Sequence, residues 1–137
     1  MELNKEDVGI HLIMDIIVND IINPDICCSE VLENYIKSCI EITELDMLGD
    51  IITHKLNVEN SDLIGITSIA TLTTSHISLH TWPEHNYISI DLYSCKYFDS
   101  EKIIELTKKY FNTKTMDIVE VERGISMPQR INSWVVL

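Results

Sequence analysis

Two stretches of alternating apolar and polar residues, separated by a Trp-Pro dipeptide, constrain the fold of this chain most. Their apolar positions are Ile77, Leu79, Ile88, Ile90 and Leu92. The other positions hold polar or reactive side chains: His76, Ser78, His80, Tyr87, Ser89, Asp91, Tyr93 and Cys95. A period of two is the pattern of a strand with one buried face. The alternation therefore predicts a sheet with one apolar face and one polar face that carries chemically active groups.

Further strands are predicted where apolar, often β-branched residues cluster between turn signals. These segments are residues 9–18, 49–56, 63–72 and 116–121. Turn-forming residues at 19–25 and a polar loop at 57–62 interrupt them. No helix or strand is predicted for the tail, residues 125–137. Its apolar end at 134–137 suggests that the tail docks on a surface of this chain or on a partner.

Two helices are predicted from apolar residues that recur at helical spacing. Ser29 is the expected N-cap of the first, and Asp99 with Ser100 caps the second. The buried stripes are Val31, Leu32, Tyr35, Ile36, Cys39 and Ile40 in the first helix and Ile103, Ile104, Leu106, Tyr110 and Phe111 in the second. The order β-α-β-β-β-α-β predicts an α+β two-layer sandwich, a largely antiparallel sheet with helices on one face. A half-covered sheet of this kind predicts a homodimer.

Size and charge narrow the class of protein. A chain of 137 residues fits one domain, residues 1–137. No apolar run reaches the ~18 residues that cross a bilayer, and charged residues occupy the start where a signal peptide would be basic and apolar. We therefore expect a cytoplasmic protein. The net charge of −12 argues against a nucleic-acid partner, and it fits either solubility or attraction of a cationic substrate.

The cysteines and histidines do not predict a metal site. No C-x-x-C occurs, and adjacent Cys27 and Cys28 are poorly placed to bridge each other or to clamp zinc. The metal alternative uses His76, His80, Glu84 and His85, but on a strand four positions separate the His76 and His80 imidazoles by about 13 Å. A serine hydrolase is also disfavoured, because the chain has no G-x-S-x-G segment.

The chemistry concentrates in residues 74–84, T-S-H-I-S-L-H-T-W-P-E, followed by Cys95. A hydroxyl nucleophile, two imidazoles, a carboxylate and a thiol lie within about twenty residues, on segments patterned as paired strands. Ser75 can attack the carbonyl of Thr74, and the ester can then eliminate to dehydroalanine and hydrolyse to a pyruvoyl group. That step needs a backbone-strained serine, oxyanion stabilisation and a nearby base.

This segment resembles the self-cleavage site of the prokaryotic-type S-adenosylmethionine decarboxylase proenzymes, in which a serine precedes H-x-x-x-H-T-W-P-E. The resemblance extends to G-I-H-L at residues 9–12 and V-E-V-E-R-G at 119–124, so it spans most of residues 9–124. It implies a fold of the same type, cleavage between Thr74 and Ser75, and a pyruvoyl cofactor derived from Ser75. An amine substrate then forms a Schiff base with the pyruvoyl ketone. The expected product is the aminopropyl donor of spermidine and polyamine synthesis.

The resemblance also implies roles for individual residues. His80 matches a histidine implicated in processing, Thr67 matches a serine that assists it, and Cys95 matches the proton donor. Glu84 is placed near the substrate's ribose. Trp82 either packs or stacks on a ligand, and His76 belongs either to the substrate site or to the scaffold.

Two departures keep other functions open. The family usually has glutamate before the cleavage serine, whereas this chain has Thr74, so an unprocessed, non-catalytic partner of an active paralogue is one alternative. The loop at 57–62 lacks the family's adenine-stacking aromatic. Arginine or ornithine is therefore the alternative substrate, with Glu59 or Asp62 as partner of its cationic end.

Overall fold

A computed structural model describes residues 9–19 and 24–124, and in these ranges it contains six strands and two α-helices. The strands are β1 (Gly9–Val18), β2 (Met47–Asn57), β3 (Ile64–Leu72), β4 (Ser75–Trp82), β5 (Tyr87–Ser94) and β6 (Thr113–Arg123). The helices are α1 (Ser29–Thr43) and α2 (Ser100–Tyr110), and 3₁₀ turns lie at Pro24–Cys27 and Pro83–His85.

All six strands join one sheet in the order β2-β3-β4-β5-β1-β6, and every neighbouring pair is antiparallel. Both helices pack on one face of this sheet, where they share a single apolar core with the strands. The predicted α+β two-layer sandwich is confirmed.

The core follows the predicted alternation. Ile77, Leu79, Ile88, Ile90 and Leu92 are all buried against the helices. Each such side chain contributes about 1.5–3 kcal/mol when it is fully buried. The α1 stripe adds Leu32, Tyr35, Ile36, Cys39 and Ile40, while Val31 is only half-buried.

The two helices are joined by a buried polar contact. The Tyr35 hydroxyl lies 2.7 Å from the Thr107 hydroxyl, which also donates to the Ile103 carbonyl. Burial raises the pKa of Tyr35 and raises the pKa of the nearby Cys39 thiol to about 12. Cys39 is therefore an inert core thiol at neutral pH.

The predicted element order is wrong by one strand. The two alternating stretches around Trp82-Pro83, which that order counts as one strand, form the separate strands β4 and β5. The chain reverses between them at the Pro83–His85 turn, where Asn86 adopts a φ of 52°. The order is therefore β-α-β-β-β-β-α-β.

Some predicted boundaries also differ. Cys28, not Ser29, is the N-cap of α1, and it makes no side-chain capping bond. Asp99 is the N-cap of α2 as predicted, since its carboxylate accepts the Glu101 N–H at 3.0 Å. Strand β6 exceeds its predicted length because it pairs along all of β1. Residues 20–23 of the predicted turn and the tail at 125–137 lie outside the described residues.

The second face of the sheet, called here the open face, is covered by neither α1 nor α2. It presents His76, Ser78, His80 and Trp82 of β4 between apolar flanks that include the exposed Ile52, Ile69 and Val119. Among the described residues, no helix has the length and apolar character to span a membrane.

Candidate active site

Ser75 stands at a hairpin turn. It opens β4 and pairs with Leu72, the last residue of β3, so only Thr73 and Thr74 connect the two strands. Ser75 is 8% exposed. Thr74 has a φ of 63°, in the left-handed region that a β-branched residue rarely adopts. The bond that is predicted to break therefore lies in a strained turn, with the strain on Thr74 and not on Ser75.

The structure brings Cys95 to this turn. The Cys95 backbone N–H donates to Ser75 Oγ at 2.9 Å, so the serine oxygen is held in place. The Thr74 hydroxyl lies 2.9 Å from Cys95 Sγ and 2.5 Å from the Thr73 carbonyl oxygen. Cys95 follows the end of β5 and is exposed. The Cys95 thiol, the Ser75 side-chain oxygen and the Thr74–Ser75 peptide thus form one cluster.

The connection between α1 and β2 braces the other side of the turn. The Asp46 carbonyl accepts the Thr73 N–H at 2.9 Å, and the Thr73 hydroxyl lies 3.3 Å from the same oxygen. The turn is therefore fixed from two directions, by Asp46 and by Cys95.

Thr67 and His80 form a second cluster. They lie opposite each other on β3 and β4, and Thr67 Oγ1 is 2.9 Å from His80 Nδ1. His80 stands five residues beyond Ser75 on one strand, about 16 Å away at ~3.3 Å per residue. Within one chain, the structure does not bring the two clusters together.

Trp82 and Glu84 lie near the Thr67–His80 cluster, at the end of β4 and in the turn that follows it. The Trp82 ring lies 6.0 Å from the His80 ring and 5.0 Å from the Tyr87 ring, centroid to centroid. A cavity of about 270 Å³ is lined by Trp82, Glu84 and Glu59 together with neighbouring residues of β2, β3 and β4 and Val58 of the loop after β2. Asp62 does not line it.

His76 lies at the opposite end of β4, beside Ser75 but on the open face. Its ring is 5.6 Å from the Tyr93 ring, and the Arg123 guanidinium lies 4.4 Å over the same Tyr93 ring. His11 Nε2 is 3.0 Å from an Asp91 carboxylate oxygen. These neighbours were not predicted. The resemblance at residues 9–12 and 119–124 covers His11 and Arg123, but only the pairing of β1 with β5 and β6 shows what they contact.

The geometry does not favour a metal at the two histidines. His76 and His80 lie four positions apart on a strand, as expected. In residues 9–19 and 24–124, no three His, Cys, Asp or Glu side chains are grouped so that they could hold a metal ion.

By its fold and site, this chain is a two-layer α+β protein that carries a serine and a thiol at a strained hairpin turn. A family model described as S-adenosylmethionine decarboxylase matches residues 10–124. The chain belongs to the S-adenosylmethionine decarboxylase family.

Individual relatives agree with this membership. The chain is 34% identical over 73 residues to an S-adenosylmethionine decarboxylase proenzyme of Methanococcus aeolicus, covering 53% of this chain and 58% of that protein. It is 43% identical over 61 residues to a proenzyme of the same name from Clostridium botulinum, covering 44% and 53%. The chain thus spans little more than half the length of these curated relatives. The crystal structure of the adenosylmethionine decarboxylase from Aquifex aeolicus superimposes with a TM-score of 0.66 at 25% identity, covering 88% of this chain and 93% of that one.

Proposed function

We propose that this protein is a pyruvoyl-dependent S-adenosylmethionine decarboxylase that cuts itself between Thr74 and Ser75. The product of the decarboxylation is the aminopropyl donor for spermidine synthesis. One observation carries the proposal: Ser75 Oγ is held at 2.9 Å by the Cys95 N–H in a strained two-residue turn, beside a thiol.

The proposed cleavage uses the serine as an internal nucleophile. Ser75 Oγ forms a bond to the Thr74 carbonyl carbon as the Thr74–Ser75 amide bond breaks, which leaves an ester and a free amine. Removal of the Ser75 Cα proton then expels the Thr74 carboxylate and leaves dehydroalanine. Water replaces its nitrogen as ammonia, so residue 75 becomes the pyruvoyl group. The base for the Cα proton is His80, a role for which an imidazole is suited near neutral pH.

The surroundings of Ser75 fit a pyruvoyl group. The serine sits at the end of a strand, with the Cys95 N–H directed at its side-chain oxygen and the Cys95 thiol within reach of the same turn. The group supplies an electron sink for decarboxylation of an amine substrate. Cys95, exposed at this turn, then delivers the proton to the substrate carbon that has lost carbon dioxide.

A homodimer completes the proposed site. One chain carries Ser75 and Cys95 at one end of β4 and the Thr67–His80 pair at the other end, about 16 Å apart. Apolar side chains on the open face, Ile52, Ile69 and Val119 among them, are available for burial. A second copy packed on this face by a two-fold axis can bring its His80 to the Ser75 of the first, and the reverse.

The cavity beside Trp82 supports recognition of a cationic substrate. Two carboxylates, Glu59 and Glu84, line it together with an indole that offers a stacking surface. The ribose hydroxyls of S-adenosylmethionine can donate hydrogen bonds to the carboxylate oxygens of Glu84. Arginine or ornithine is the second candidate, because its guanidinium or ammonium group can pair with the Glu59 carboxylate.

The function is tested first by the intact mass of the purified chain. We expect two pieces, residues 1–74 and a pyruvoyl-capped remainder, whereas Ser75→Ala stays whole because it has no hydroxyl to attack. A wild-type chain that remains whole on prolonged native incubation contradicts the proposal and favours the alternative of an unprocessed partner protein.

Substrate choice is tested on the cut protein by release of labelled carbon dioxide from carboxyl-labelled S-adenosylmethionine, arginine and ornithine. We expect release from S-adenosylmethionine. Release from arginine or ornithine alone would transfer the assignment to the second candidate, and Glu59→Gln would then be the matched variant to examine.

A further inference from the structure

We infer that Thr74 is a positioning residue for self-cleavage, acting through a strained backbone and through a hydroxyl that holds the Cys95 thiol. This inference rests on the proposed function, since it concerns the Thr74–Ser75 bond. Its starting point is the φ of 63° at Thr74. In residues 9–19 and 24–124, the other residues with positive φ are Glu44, Gly49, Asn60, Asn86 and Gly124. Thr74 is the only β-branched residue in that described set.

The other positive φ values have ordinary explanations. Glycine and asparagine tolerate the left-handed region, and Glu44 is the C-cap of α1, where that conformation commonly ends a helix. None of these explanations applies to Thr74, since its branched Cβ crowds the backbone in the left-handed region. A conformation of this kind persists only where the surrounding structure enforces it.

The surroundings of the turn do enforce it. Leu72 and Ser75 are paired in the sheet, so two residues must reverse the chain. Thr73 is fixed by the Asp46 carbonyl at 2.9 Å, and Ser75 by the Cys95 N–H at 2.9 Å. Thr74 therefore cannot relax while its peptide bond to Ser75 is intact. Breaking that bond makes Thr74 a chain end, which is free to leave the left-handed region.

The Thr74 hydroxyl adds a second contact at the same bond. It lies 2.9 Å from Cys95 Sγ, so the thiol is held against the peptide that is to be cut. When Thr74 becomes a chain end, this restraint on the thiol is lost. The same residue thus promotes cleavage and restrains Cys95 until cleavage has occurred.

The backbone role is tested with Thr74→Asn and Thr74→Gly, whose residues tolerate positive φ. We expect both to slow precursor cleavage by roughly fivefold or more. This factor corresponds to the smallest strain that is typical of such a backbone conformation, converted to a rate. In a Ser75→Ala background that cannot be cut, we expect both to raise the Tm by a few degrees. Slower cleavage in a more stable precursor is a combination that general structural damage does not produce. Thr73→Gly is the matched control, because Thr73 has no positive φ to relieve and glycine there should lower the Tm.

The hydroxyl role is tested separately with Thr74→Val, which keeps the branched Cβ. In the Ser75→Ala background we expect faster alkylation of Cys95, followed by mass spectrometry of its peptide so that Cys27 and Cys28 do not interfere. Unchanged Cys95 alkylation refutes the restraint on the thiol.

The outcomes separate this inference from the proposed function. If the wild-type chain is cut and Thr74→Gly is cut equally fast, the backbone role of Thr74 is refuted while the enzyme assignment stands. If the wild-type chain is never cut, both fail together.

Discussion

Tyr87 illustrates how one contact sets the protonation of a side chain on the open face. Its hydroxyl donates to an Asp15 carboxylate oxygen at 2.5 Å. This hydrogen bond to Asp15 is the main cause that raises the pKa of Tyr87 to about 12, with smaller contributions from burial and from the charges of Asp15 and Asp91. The neutral phenol is therefore favoured in the folded protein well above its ordinary range.

Removing the Asp15 charge should reverse this shift. In Asp15→Asn we expect the pKa of Tyr87 to fall towards its ordinary value of 10.0. Tyrosinate absorbance over an alkaline titration measures this change, with Tyr87→Phe identifying the contribution of this one phenol. Because the pKa is raised on folding, the contact stabilises fully below about pH 10 and is lost as the pH rises towards 12. Identical titration curves for the wild type and Asp15→Asn would contradict the assignment.

At this scale the sequence predicts residue types and faces, but not contacts across the turn. The alternation correctly put His76 and His80 on the polar face, away from Ile77 and Leu79. It did not predict that Ser75 and Cys95 meet through a backbone N–H, or that Thr74 carries the positive φ. Those depend on the exact strand register, which tertiary pairing sets. The roles of Ser75, His80, Cys95 and Thr67 in catalysis stay predictions.

At the scale of elements, helix α2 depends on its N-cap residue, Asp99. The Asp99 carboxylate accepts the Glu101 N–H at 3.0 Å and so satisfies one of the free donors at the helix start. We expect Asp99→Ala to lower the free energy of unfolding by about 1 kcal/mol. Urea denaturation of the Ser75→Ala precursor measures this on a single covalent chain.

Ser100→Ala is the matched control for that experiment. Ser100 is adjacent, but its hydroxyl donates to the Glu120 carboxylate at an exposed position and leaves the helix donors unchanged. A smaller loss than in Asp99→Ala is expected. Equal losses in the two variants would mean that the Asp99 cap is not the source of the stability.

Elements with strong local signals were predicted well, and the errors arose where tertiary structure decides. Helical spacing predicted the α1 core stripe, and Asp99 predicted the start of α2. The predicted order counted the two alternating stretches around Trp82-Pro83 as one strand, because the alternation continues with the same period in β5. The N-cap moved to Cys28, although Ser29 has the better side chain for that position, so local preference was overridden.

At the scale of the whole molecule, the proposed homodimer can be tested because Ser75 and His80 lie at opposite ends of β4 in one chain. Ser75→Ala and His80→Ala chains, each expressed alone, should stay uncut. When the two are produced together, we expect the His80→Ala chain to be cut, because its Ser75 meets the His80 of the other copy. Mass spectrometry distinguishes the chains by their substitutions, and coexpression of His80→Ala with a tagged second copy of itself is the control. If neither chain is cut in the mixture, His80 does not act across two copies.

The sheet order has a consequence for the proposed cleavage between Thr74 and Ser75. The segment that ends at Thr74 contributes β1, β2 and β3, and the segment from Ser75 contributes β4, β5 and β6. The order β2-β3-β4-β5-β1-β6 inserts β1 between two strands of the other segment. The two pieces are therefore interleaved, and β1 cannot leave without breaking hydrogen bonds on both of its edges. If the chain is cut as proposed, a denatured pair of pieces can refold only through an encounter between two molecules, which depends on their concentration. The proposed cleavage therefore requires that the chain folds before it is cut.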